Sequence, residues 1–237
     1  MADKDHLNMI ITGHIDNGKS TTMGHFLLDL GVVDERTISA HAKESEETGK
    51  GDSFKYAWVM DNIKDERARG ITIDLAFKKF ETPKFFFTLI DAPGHRDFVK
   101  NMITGASEAD CAVLVLSAKE GETDTAIAPG GQAREHAFLL KTLGVKQIIV
   151  AINKMDDSKF SEDAFNAAKQ KGEGLVKSVG YKIDEVPFVP VSGWTGENLV
   201  KKSENMPWYK GKTLLETFDD FKSPEKPTGK PLRLPIQ

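Results

Sequence analysis

Cysteine is nearly absent: Cys111 is the single one among 237 residues. A thiol without a partner makes no internal disulfide and fits a reducing compartment. It lies within "CAVLVLSA", an apolar run that reads as a buried strand, where it packs as an inert small hydrophobe. Long hydrophobic runs are lacking too. No stretch approaches the roughly 20 apolar residues of a membrane span. The opening "MADKDHLNMIIT" has neither the basic n-region nor the apolar h-region of a secretion signal. A cytoplasmic chain with no membrane partner is therefore expected. Charge of one sign is also missing, since 32 Lys and Arg face 36 acidic residues and the net charge is −4. That balance excludes a global attraction to a polyanion, so any nucleic-acid contact needs a local patch. Internal repeats and low-complexity tracts are not found.

What is present is enough apolar residue, 39%, to bury a sizeable core in one large α/β domain, with or without a fragment of another. Short runs rich in Val, Ile and Phe at 7–12, 75–80, 85–91, 111–118, 147–152 and 188–191 read as strands. Helical patterns lie near 19–30, 97–104, 132–142, 161–179 and 214–218. Strands that are apolar throughout and separated by helices predict a mostly parallel six-stranded sheet covered on both faces. The close pair joined at 82–84 predicts one antiparallel edge strand. Residues 34–70 form a charge-dense insertion, helical in parts, and "SPEKPTGKPLRLPIQ" reads as a proline-rich linker.

The most informative stretch is "GHIDNGKST". Gly13, Gly18, Lys19 and Ser20 match G-x-x-x-x-G-K-[ST] between a strand and a helix, the phosphate loop of a P-loop NTPase. The run Gly13, His14, Ile15, Asp16, Asn17, Gly18, Lys19, Ser20 and Thr21 can turn backbone N–H groups inward while the helix adds its positive end. Lys19 supplies a charge to the outer phosphates, and Ser20 offers an oxygen to Mg²⁺.

The motif says nucleoside triphosphate without naming the base. "NKMD" (Asn153, Lys154, Met155 and Asp156) follows an apolar strand and sits where open α/β sheets bind ligands. A carboxylate at Asp156 can accept from N1–H and the N2 amine of guanine; adenine leaves it unpaired. Such a site rejects the analogue by about 10⁴-fold or more. Asn153 is expected to brace neighbouring loops and the stem of Lys154 to cover the base. A further strand end, "PVSGWTG", brings the N–H groups of Ser192 and Gly193 toward guanine O6; Trp194 either flanks the ring or packs.

Between these lie "ERARGITID" and "DAPGH". Asp91 can hold a water on Mg²⁺, Gly94 can turn its N–H toward a γ-phosphate, and Thr72 is a candidate second hydroxyl ligand, in place only when that phosphate orders its loop. His95 either orients the attacking water or is a solvated loop histidine. With no arginine finger assignable, intrinsic hydrolysis is expected at ~10⁻⁴ s⁻¹. Lys64, Arg67, Arg69, Arg96 and Lys100 read as a solvated face, with RNA contact as the alternative.

Together "GHIDNGKST", "RGITID", "DAPGHRDFVKNMITGAS", "GGQAREH", "NKMD", "SENMPWYKG" and "KPLRLPIQ" resemble the elongation factor 1-alpha family of archaea and eukaryotes along nearly the whole chain. The resemblance implies a translational GTPase fold. It implies a GTP-binding domain over residues 1–222, with switch segments about 34–72 and 91–105, and a linker at 223–237 toward two β-barrel domains outside this sequence. It also implies GTP/GDP and Mg²⁺ as ligands, delivery of aminoacyl-tRNA to the ribosomal A site, ribosome-stimulated hydrolysis, an exchange factor and a monomeric state. His95 would then be the catalytic residue, Ile15 and Ile71 an apolar gate beside it, and Asp16 a support for a monovalent cation. Asn17, Ala68 and Ala133 depart from the family's usual residues. Alternative readings are a termination or ribosome-rescue GTPase, and a regulatory GTPase subunit of sulfate activation.

Overall fold

A computed structural model of the chain describes residues 4–47, 54–60, 66–67 and 71–224, apart from the Arg96 side chain. Ala68, Lys64, Arg69 and most of the proline-rich segment lie outside these residues. The elements run β1 (Asp5–Gly13), α1 (Lys19–Asp29), α2 (Glu35–Glu47), α3 (Phe54–Ala57), β2 (Ala76–Glu81) and β3 (Phe85–Asp91). There follow α4 (Val99–Ser107), β4 (Cys111–Ser117), α5 (Glu122–Ile127), α6 (Gln132–Thr142), β5 (Gln147–Asn153), α7 (Glu162–Val179), β6 (Phe188–Pro190) and α8 (Leu214–Phe218).

The sheet has six strands in the order β2-β3-β1-β4-β5-β6. All neighbours are parallel except the β2–β3 hairpin. This is the predicted mixed sheet. It forms because the inner strands are apolar at every position and must be covered on both faces. The period of two then sorts them. Ile10, Leu114, Val150 and Ile152 join Met102, Leu140 and Val176 of α4, α6 and α7 in one layer. Met9, Ile11, Val113, Val115 and Ala151 point the other way, onto Met23, Phe26 and Leu27 of α1 and Phe218 of α8. Cys111 sits in that second layer, fully buried, and burial holds its thiol well above the ordinary range.

β1 lies between β3 and β4, so the chain reverses its progress across the sheet there, and the carboxyl ends of β1, β3, β4 and β5 open on one crevice. Two differences from expectation concern local structure. α5 was not anticipated: "ETDTAI" has no apolar period, and its place comes from the Thr123 hydroxyl, which donates to the Ser117 carbonyl at 2.6 Å. Arg67 is not a solvated charge; it donates to Glu44 at 3.1 Å and covers the Trp58 ring at 5.4 Å.

Candidate functional site

The crevice at the strand ends holds a cavity of about 440 Å³. One wall is the turn between β1 and α1. Asp16 is left-handed at φ 62° and Gly18 at φ 80°, which lets the chain fold back before Lys19 opens the helix. A Cβ on Gly18 would stand 2.5 Å from Asn153 Nδ2, so glycine is required there for space as well. Lys19 is buried, its Nζ donating to the His14 carbonyl at 3.1 Å, and it reaches so near Gly94 that an added methyl there would lie 2.4 Å from the ammonium. Ile15, Asp16, Gly18, Lys19, Ser20 and Thr21 all line the cavity. Asn17 is buried, and its amide donates to the Val115 carbonyl at 3.0 Å, fixing the turn to β4.

Beside Lys19, the Ser20 and Thr72 hydroxyls stand 3.2 Å apart, although 52 residues separate them. Behind them Asp91 is wholly buried, and the Ser20 hydroxyl and the Lys19 ammonium are the groups that favour its charged form. Burial pushes its pKa up to about 6, against the pull of the Lys19 charge. The segment bearing Thr72 is fixed from two sides. Glu66 accepts the N–H groups of Ile73 and Asp74, each at 3.0 Å, and Asn101 of α4 donates to the Ile73 carbonyl at 2.8 Å. His95 lines the cavity with Ile15, Ile71 and Gly94. Its Nδ1 faces Asp97, 3.2 Å from the backbone N–H and 3.5 Å from the carboxylate.

At the opposite end Asn153 joins three loops: its amide donates to the Asn17 carbonyl at 2.8 Å and its oxygen accepts the Gly193 N–H at 2.8 Å. Asp156 lines the cavity and accepts the Ser192 hydroxyl at 2.5 Å. Lys154, left-handed at φ 62°, runs along the cavity to Glu122 at 2.8 Å. Burial pushes the Glu122 carboxyl up, but the Lys154 contact and neighbouring donors outweigh it and hold it below the usual range.

Three expected residues behave differently. Met155 is fully buried in the hydrophobic layer and does not line the cavity, because the turn at Lys154 directs it inward. The N–H groups of Ser192 and Gly193 are already engaged, with the Glu197 carbonyl at 3.1 Å and with Asn153. The neighbouring Trp194 N–H has no partner among the described residues. The Trp194 side chain, 38% exposed, lines the cavity and meets Tyr56 edge-on at 5.9 Å. Sequence reasoning missed Phe54, Ala57 and Asp157, which also line the cavity, and Asn101, Glu66 and Glu122, which hold its walls. The aromatics of "FKYAW" were a visible signal inside an otherwise charged insertion; Glu122 offered none.

Beneath the turn, His136 is fully buried, its Nδ1 2.7 Å from the Thr12 hydroxyl. Burial, with Lys19 and His14 nearby, lowers its pKa to about 3, so it stays neutral. His14 is lowered for the same reasons of burial and the Lys19 charge.

A strand, a left-handed glycine turn with a buried lysine, and polar loops at the ends of parallel strands define a P-loop nucleotide-binding domain. The profile of the elongation factor Tu GTP binding domain matches residues 4–224, and the chain belongs to that family. It is 84% identical over its whole length to the elongation factor 1-alpha of Cenarchaeum symbiosum (strain A), and covers 54% of that protein. Against the Ignicoccus hospitalis elongation factor 1-alpha it is 56% identical over 99% of the chain and 54% of the relative. The chain thus spans about half the length of the curated relatives it matches. Among solved structures it is similar to sup35 complexed with GDP, at 33% identity and a TM-score of 0.68, over 92% of this chain and 45% of that one. The Ski7 GTPase-like domain of S. cerevisiae bound to GTP gives 25% identity and a TM-score of 0.76, over 93% and 51%. Family membership makes this a GTP-binding domain of the elongation factor type. Among the described residues no helix is long and apolar enough to cross a membrane.

Proposed function

We propose that the cavity holds a guanine nucleotide with Mg²⁺, phosphates on the 13–21 turn and base at Asp156, and that GTP is hydrolysed there by water. The observation that carries this reading is the pair of hydroxyls on Ser20 and Thr72 beside the buried Asp91 carboxylate, next to a buried lysine. These are hard oxygen donors, and they fit Mg²⁺. An ion of this kind keeps several waters and needs only a few protein ligands. When bound, Mg²⁺ would neutralise charge on the phosphates; Ser20 and Thr72 would hold it directly and Asp91 through water.

The remaining roles follow from the same frame. Lys19 faces the outer phosphates, Gly94 gives its N–H to the γ-phosphate, and His95 orients the attacking water once Ile15 and Ile71 let it approach. Asp156 accepts from guanine N1 and N2, and the Trp194 N–H, without a partner among the described residues, donates to O6 in place of those of Ser192 or Gly193. Asp16, exposed and left-handed at the cavity edge, is a position for a monovalent cation. In the longer protein the domain would switch delivery of aminoacyl-tRNA to the ribosomal A site. Hydrolysis would be stimulated by the ribosome, GDP released by an exchange factor, and the protein monomeric in the cytoplasm.

Titration with labelled GDP, GTP, XDP and ATP tests the base assignment. Asp156→Asn is expected to lose guanine affinity and gain xanthine affinity; equal binding of ATP and GTP by the unsubstituted chain refutes it. Pull-down of charged against uncharged tRNA by the full-length protein in its GTP state tests delivery, and equal recovery of both counts against it.

A further inference from the structure

We propose that α3 is a clasp over the base end of the nucleotide cavity, and that the Tyr56–His25 stack is the positioning contact that sets how fast the nucleotide leaves. This deepens the reading above and rests on it. The charged insertion reaches the cavity twice. At the phosphate end it delivers Thr72 to Ser20; Phe54 and Ala57 of α3 line the same cavity, and Tyr56 between them meets Trp194, another lining residue, edge-on at 5.9 Å.

A helix of four residues has no stability of its own and persists only through what it docks on. The docking is specific. The Tyr56 ring lies on His25 of α1 with centroids 4.1 Å apart and planes 9° from parallel. The same ring meets Trp194 edge-on, and Lys55 Nζ stands 5.2 Å from the Tyr56 centroid and 5.1 Å from the Trp194 centroid. His25 in turn donates from Nδ1 to the Gly193 carbonyl at 2.9 Å. The backbones are equally close: a methyl on Gly24 would stand 1.9 Å from the Tyr56 carbonyl oxygen, so α1 carries glycine where α3 crosses it.

One ring pair therefore ties α1, α3 and the loop whose Ser192 hydroxyl holds Asp156. Removing the ring frees Phe54 and Ala57 from the wall and loosens the loop beneath the base. None of these contacts reaches the phosphate turn, so the clasp acts on GDP and GTP alike. That separates it from Thr72, whose grip requires the third phosphate.

The test is stopped-flow release of fluorescent GDP and GTP from the 237-residue chain, with circular dichroism to verify folding. Tyr56→Ala is expected to speed release of both nucleotides by about 3- to 10-fold, and Tyr56→Phe, which keeps the stack, to restore the original rate. Release from a folded Tyr56→Ala chain within about twofold of the original overturns the proposal, as does acceleration confined to GTP or failure of Tyr56→Phe to rescue. The preference for GDP over ADP is measured on the unsubstituted chain. If ADP binds as tightly, the guanine reading falls while the release ratio still decides the clasp, because base identity does not enter the ring contacts.

Discussion

Asp91→Asn should stabilise this domain when nucleotide and Mg²⁺ are absent and weaken it when they are present. In the folded chain burial raises the Asp91 pKa from 3.8 to about 6. At about 1.4 kcal/mol per unit the charged form costs about 3 kcal/mol relative to the unfolded chain. Because the folded pKa is the higher one, the stabilising contribution is complete below pH 3.8 and is lost as pH rises through about 6. Asparagine matches the protonated carboxyl in shape and never ionises. The two chains should therefore unfold alike near pH 4, with Asp91→Asn more stable by up to about 3 kcal/mol at pH 8. The assay is urea unfolding in EDTA across that range, repeated with Mg²⁺ and GDP. The added ligands should reverse the order, since a divalent cation favours the charged carboxylate. An Asp91→Asn chain that is less stable at pH 8 without ligands, or a difference that ignores pH, would refute this account of the buried carboxylate.

Other outcomes follow from single contacts. Gly18→Ala forces a side chain into a left-handed turn and against Asn153, and should weaken GDP and GTP alike by about tenfold or more in equilibrium titrations. Asn101→Ala removes the 2.8 Å bond to the Ile73 carbonyl, worth about 1 kcal/mol, and should lower Mg²⁺-dependent GTP affinity about fivefold while leaving GDP affinity unchanged. His95→Ala in the full-length protein should reduce ribosome-stimulated turnover by roughly 10²-fold with nucleotide affinity kept; unaltered single-turnover rates would remove His95 from the mechanism.

Much of this was legible in residues because the inner strands carry their own label. Every residue of "CAVLVLS" is buried, and only a strand covered on both faces tolerates that. The motifs then lie at strand ends, where loop composition and sheet topology agree. The less legible parts depended on tertiary contact. β1 begins at Asp5, two residues before its apolar run, because Asp5 and His6 pair with Phe85 and Phe86 through backbone groups that hydropathy does not register. Met155 sits inside a binding motif yet belongs to the core, a distinction set by the left-handed turn at Lys154. The engagement of the Gly193 N–H by Asn153 joins residues 40 apart in sequence. α3 was hidden for a related reason: its aromatic residues find their partners on α1 and beyond β6, and a charge-dense stretch gives no periodic signal of that docking.

A crystal structure of the chain with Mg²⁺ and a non-hydrolysable GTP analogue would show directly whether one cavity holds both the metal-bound phosphates and the base. The metal should lie on the hydroxyls of Ser20 and Thr72, with Asp91 reaching it through water, and guanine N1 and N2 on the Asp156 carboxylate. A triphosphate lying away from the turn at residues 13–21, or a base turned from Asp156, would contradict this placement.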